Sequence, residues 1–100
     1  MHTSNQINIS VLGAGSWGIA LAAHCEKIGH KVSLWEFDQQ AAARLAETRE
    51  RSDVLKDIRL SESINITSDL QDAVKDSEII LLVVPSHVAR SVIQSLAKMK

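Results

Sequence analysis

Residues 11–22, "VLGAGSWGIALA", place Gly13, Gly15 and Gly18 at the point where an apolar, β-branched run gives way to a string of small helix formers. A glycine inside regular structure costs roughly 0.5–1 kcal/mol relative to alanine. Three of them at a strand-to-helix junction therefore require a local cause. The spacing is G-x-G-x-x-G, and each position has its own steric task. Gly13 permits a tight turn, Gly15 lets a ligand approach the backbone, and Gly18 lets the helix pack closely on the strand. The unpaired amides at the start of such a helix then face the same point, and its dipole favours an anion there by about 0.3–2 kcal/mol.

The rest of the chain supplies the context that this turn needs. Residues 7–12 read as a short buried strand, and residues 16–28 as an alanine-rich helix stopped by Gly29. A second strand follows at 31–36, then a helix over 39–51 with Asp38 as its N-cap. Residues 52–63 carry no clear period and read as loop. A third strand covers 64–67, and one or two helical turns cover 68–74 behind Ser68 or Asp69. Residues 78–84, "EIILLVV", are apolar on both faces, as a parallel strand covered by helices would be. Pro85 ends that strand. Ser86 is the expected cap of a last helix with an apolar stripe of Val88, Val92, Ile93 and Leu96.

Strand and helix alternate throughout, which implies a parallel sheet with right-handed crossovers. The expected fold is α/β: a doubly wound, Rossmann-like sheet in the order 3-2-1-4, with a crevice where the connections of the central first strand diverge. The second strand ends in Glu36, near the position from which a carboxylate accepts hydrogen bonds from a dinucleotide's adenosine ribose. Such bonds are worth about 1.5–3 kcal/mol, whereas a 2′-phosphate would meet a like charge. No arginine stands at 37 or 38 to receive it. NAD is thus the expected cofactor, with NADP disfavoured by about tenfold or more. Phe37 is placed to lie on the adenine.

Composition removes other classes of function. A formal net charge of −1, with lysine and arginine scattered, offers no field for a nucleic acid. The longest apolar run, residues 79–84, is too short to span a bilayer, and "MHTSNQ" is not a secretion signal. Cys25 is the only cysteine, which suits a reducing, cytoplasmic setting. A chain of 100 residues with 45% apolar content is enough for one core.

Three stretches, "GAGSWGIALA", "GHKVSLWEFD" and "VVPSHVAR", resemble the N-terminal domain of NAD(P)-dependent glycerol-3-phosphate dehydrogenase. The Gly-Ser-Trp-Gly form of the loop is more specific than glycine spacing alone, and Trp35 and Val84-Pro85-Ser86 also agree with it. The resemblance implies reversible hydride transfer between dihydroxyacetone phosphate and sn-glycerol 3-phosphate, in glycerophospholipid metabolism. It implies that Ser16 and Trp17 contact the cofactor's phosphates, that Phe37 and Asp38 border its adenosine end, and that Pro85 lies on the route to the nicotinamide. His87 is not expected to transfer protons, because the family's acid/base group is a lysine in a C-terminal helical domain.

The chain departs from the family in two places. Many bacterial members carry an arginine where Phe37 and Asp38 stand, and Val54-Leu55-Lys56-Asp57 replaces the frequent Tyr-Leu-Pro-Gly. Members of that family have a further pair of strands and a helical domain, so residues 1–100 are expected to form the dinucleotide-binding domain as a fragment, cut after the fourth βα unit. No catalytic residue is expected within it; the catalytic groups are expected beyond Lys100. The phosphorylated substrate would bind only with the helical domain, and the exposed edge of the fourth strand would favour a homo-oligomer. Other readings are a reductase of 3-hydroxyacids or ketopantoate, and a regulatory domain that senses NAD without chemistry.

Overall fold

The computed structural model describes residues 6–51 and 55–99. Lys100, beyond which the catalytic groups are expected, lies outside the described residues. Strand β1 (Asn8–Leu12) is flanked by β2 (Lys31–Trp35) and β6 (Ile79–Leu82), and β5 (Asn65–Thr67) extends the sheet beyond β2. All pairs are parallel, with Val11 opposite both Leu34 and Leu81. The order β5-β2-β1-β6 is the expected 3-2-1-4 when only the strands of this sheet are counted. Ile9 to Leu12 are all buried, which explains why this central strand is almost continuously apolar.

Alternate residues of β1 and β2 feed two cores, one on each face. Ile9, Val11, Val32 and Leu34 pack with Ile19, Ala22 and Cys25 of α1 (Ser16–Lys27) and with Leu45 of α2 (Gln39–Thr48). Leu12 and Trp35 pack on the other face with Ala73 of α3 (Leu70–Val74) and Val92 of α4 (Ser86–Ala97). Ser10 is the buried polar residue of the first strand, and its hydroxyl donates to the Ala73 carbonyl while lying against the Ser77 hydroxyl. A buried hydroxyl without such a partner would cost about 1–3 kcal/mol. Burial also pushes the Cys25 thiol up, so it packs as a neutral, small apolar group.

Helix α1 ends where expected. Gly29, at φ 106°, sends its N–H to Glu26, and His30 N–H reaches the Cys25 carbonyl, the paired closure of a glycine-terminated helix. His30 accepts the Ile7 N–H at Nδ1. Asp38 caps α2 through Gln40 N–H, and Asp69 rather than Ser68 caps α3 through Gln71 N–H. Ser86 is not a cap. Pro85 takes that position, its carbonyl accepting from Val88 and Ala89, and the Ser86 side chain makes no capping bond. Ile93 is 53% exposed, so the buried stripe of α4 is Val88, Val92 and Leu96 alone; the five-residue step from Val88 turns Ile93 off that face.

The largest departure follows α2. The helix stops at Thr48 instead of residue 51, and Glu50–Arg51 (β3) pairs antiparallel with Leu55–Arg59 (β4), where a loop is expected. Residues 52–54 of that expected loop lie outside the described residues, Val54 among them. Helix propensity alone would carry "ETRER" onward. Tertiary hydrogen bonds override it. Arg49 adopts φ 64° and its guanidinium donates to the carbonyls of Ala46, Ser61 and Ile64, tying the helix end to the turn between β4 and β5. Arg49→Ala is expected to lower stability by about 1–2 kcal/mol, since these acceptors lose a charged donor. Urea denaturation checks this as a fall in midpoint at unchanged slope.

Candidate functional site

The carboxyl ends of β1, β2 and β6 open into one crevice of about 500 Å³, a size that suits a small-molecule ligand. It lies where the connections of β1 diverge, the switch point at which open α/β sheets bind ligands. Gly13 makes the turn there at φ 124°, and its N–H is held by the Trp35 carbonyl at 2.9 Å. A Cβ at this position would stand 2.7 Å from the Val83 carbonyl oxygen. At Gly18 the fit is closer still: a Cβ would fall 1.6 Å from the Gly13 carbonyl oxygen, so the first turn of α1 packs directly on the loop that precedes it. Both glycines are thus required by the protein's own backbone.

Gly15 is different. Its φ of −79° is open to any residue, and an added Cβ would meet nothing within 4 Å. Nothing inside the protein demands glycine here, and the residue is exposed on the crevice wall. No side chain caps α1, and no acidic residue stands in its first turn. The amides of this twelve-residue helix therefore present partial positive charge to the crevice, with no carboxylate of the helix's own first turn to compete.

Two aromatic rings frame the opening: Trp17 is 76% exposed and Phe37 is 70% exposed. Large apolar surfaces left in water beside a cavity mark a contact site. Phe37 also leans on Trp35, with ring centroids 6.4 Å apart, while Trp35 itself is buried and donates from Nε1 to the Ser68 carbonyl. Glu36 lines the crevice between them, with its side chain only 14% exposed. Its Oε2 accepts the Asp38 N–H at 2.9 Å, and its Oε1 lies 3.4 Å from the Arg51 guanidinium.

Of the residues nominated from sequence, Gly13, Gly15, Ser16, Trp17, Glu36, Phe37 and Pro85 come together around this space. Gly18 is buried beneath it, and the Asp38 carboxylate is engaged on the Gln40 amide at the head of α2. Exposed His87 lines the far wall together with Val83, Val84 and Val88. Sequence reasoning missed two things: the valine wall, which the apolar run 79–84 foreshadows, and Arg51, which gives no sequence signal because a hairpin delivers it.

A parallel sheet of this order with a glycine turn at its switch point defines a doubly wound domain of the dinucleotide-binding class. Residues 8–100 match the family described as NAD-dependent glycerol-3-phosphate dehydrogenase N-terminus. The chain belongs to that family. It is 42% identical over 90 residues to a glycerol-3-phosphate dehydrogenase (NAD(P)+) of Thermoanaerobacter sp., covering 90% of this chain and 27% of the relative. It is 43% identical over 90 residues to a protein of the same name from Fusobacterium nucleatum, again 27% of that relative's length. The crystal structure of glycerol-3-phosphate dehydrogenase from Coxiella burnetii superposes with a TM-score of 0.87 at 30% identity, covering 94% of this chain and 29% of that one. The chain thus spans little more than a quarter of the length of these relatives. Among the described residues, no helix is long and apolar enough to cross a membrane.

Proposed function

We propose that residues 1–100 form the NAD-binding part of a glycerol-3-phosphate dehydrogenase, an oxidoreductase that interconverts dihydroxyacetone phosphate and sn-glycerol 3-phosphate. Gly15 carries the reading: a glycine with no steric need inside the protein, on the wall of a crevice headed by uncapped helix amides. The pyrophosphate of NAD fits against Gly15, Ser16 and Trp17, where a side chain would stand in its way. Glu36 takes the ribose hydroxyls, Phe37 and Asp38 border the adenosine end, and Pro85 lies along the nicotinamide half. Gly13 and Gly18 hold the loop in shape. The cofactor, when bound, would supply a hydride as NADH or receive one as NAD.

Among the described residues, the crevice lining holds no lysine. The family's proton-transferring group is expected beyond Lys100, in a separate helical domain that also binds the substrate phosphate. The 100-residue polypeptide is therefore expected to show no oxidation of NADH with dihydroxyacetone phosphate above background, read as absorbance at the nicotinamide band. Steady turnover by it would overturn the division of labour. Calorimetry on the full-length protein tests the cofactor: NADH uptake with NADPH bound more weakly is the expected result, and no uptake of NADH defeats the reading. The setting we propose is cytoplasmic, in keeping with one buried, neutral thiol. Ile79 and Ile80, each more than 40% exposed on the β6 edge, support self-association. Sedimentation as a single monomer across concentration would count against that part.

A further inference from the structure

We infer that Arg51 sets how sharply the ribose end of the crevice distinguishes NADH from NADPH, by neutralising the carboxylate of Glu36. The inference rests on the dinucleotide reading above. Arg51 stands a whole helix beyond the segment where a ribose-selecting charge is read from sequence, yet β3 brings its guanidinium to the rim of the glycine loop. Its Nη1 donates to the Ala14 carbonyl at 3.0 Å and lies 3.4 Å from Glu36 Oε1. The contact is partly withdrawn from solvent, with side-chain exposures of 30% and 14%, so water screens it less than it would a surface pair.

Glu36 thus faces the crevice with a guanidinium beside its carboxylate. A carboxylate has about four acceptor directions, and the Arg51 and Asp38 contacts leave others for ribose hydroxyls. Binding of the unphosphorylated ribose is preserved. What the pair changes is the response to a 2′-phosphate, for which a lone carboxylate would be a like charge at close range. With a guanidinium beside it, much of that repulsion is cancelled. Discrimination then depends on a residue that makes no part of the glycine loop or of the second strand.

The test is the ratio of NADPH to NADH dissociation constants, measured by calorimetry on the full-length protein and its variants. Arg51→Gln exposes the carboxylate and is expected to raise that ratio about five- to tenfold. Glu36→Gln removes the carboxylate itself and is expected to lower it by a similar factor. Arg51→Lys keeps the positive charge and should hold the ratio within about twofold of the parent. Circular dichroism of each variant verifies the fold, and the ratio itself cancels any general loss of binding. An Arg51 that merely clasps the Ala14 carbonyl would weaken both cofactors alike, and an unchanged ratio in Arg51→Gln overturns the inference while leaving the dinucleotide site standing. Failure of the parent protein to take up NADH would remove both.

Discussion

Gly18→Ala is expected to destabilise the domain by about 3 kcal/mol or more, a large share of the stability of a domain this size. The added methyl would lie 1.6 Å from the Gly13 carbonyl oxygen, far inside contact distance, and that atom belongs to backbone rather than to a side chain that can rotate away. Relief requires either the helix start or the turn at Gly13 to shift. Gly13 is itself wedged: its amide is bonded to Trp35 and its Cβ direction faces the Val83 carbonyl. Overpacking usually costs about 1–3 kcal/mol when side chains can adjust, so a clash between two main-chain segments belongs at or above that range. Urea denaturation followed by far-ultraviolet circular dichroism reads the effect. A midpoint within error of the parent would show that the loop has room that its geometry denies.

Gly15→Ala should do the opposite. Its φ suits alanine, and no atom lies within 4 Å of the new methyl. Restricting the unfolded chain favours the variant by about 0.4–1 kcal/mol, while the loss of glycine at an N-cap costs a similar amount. Stability should therefore stay within about 1 kcal/mol of the parent. Binding of NADH should fall by tenfold or more, because the methyl occupies the space through which a pyrophosphate reaches the amides of α1. The contrast separates a glycine kept for the fold from one kept for a ligand. Unchanged NADH affinity in a well-folded Gly15→Ala protein would move the phosphate seat away from this loop.

Much of this architecture is legible in the chain because its signals are local. The β-branched run before Gly13, the small residues after Gly18 and the stop at Gly29 each act within a turn or two of themselves. Parallel topology follows from their alternation, since a crossover helix between strands leaves few arrangements open. Asp38 and Asp69 are readable as caps for the same reason: each bonds an amide two residues away. Local signals fall short where distant groups decide. "ETRER" has the propensity of a helix, but Arg49 commits its guanidinium to carbonyls of residues 61 and 64, and the chain turns back into a hairpin. Ile93 fits an apolar stripe on paper and points away from it in space.

The amino-acid order by itself determined the alternating α/β pattern, the glycine turn and the acidic residue that closes the second strand, because backbone sterics and short-range hydrogen bonding suffice for each. Only the tertiary structure decided that the chain turns back after α2 into the β3–β4 hairpin, and that Glu36 is partnered by Arg51. Those are matters of through-space distance between separate segments, set by how the β3–β4 hairpin packs against α1, and no periodicity encodes them.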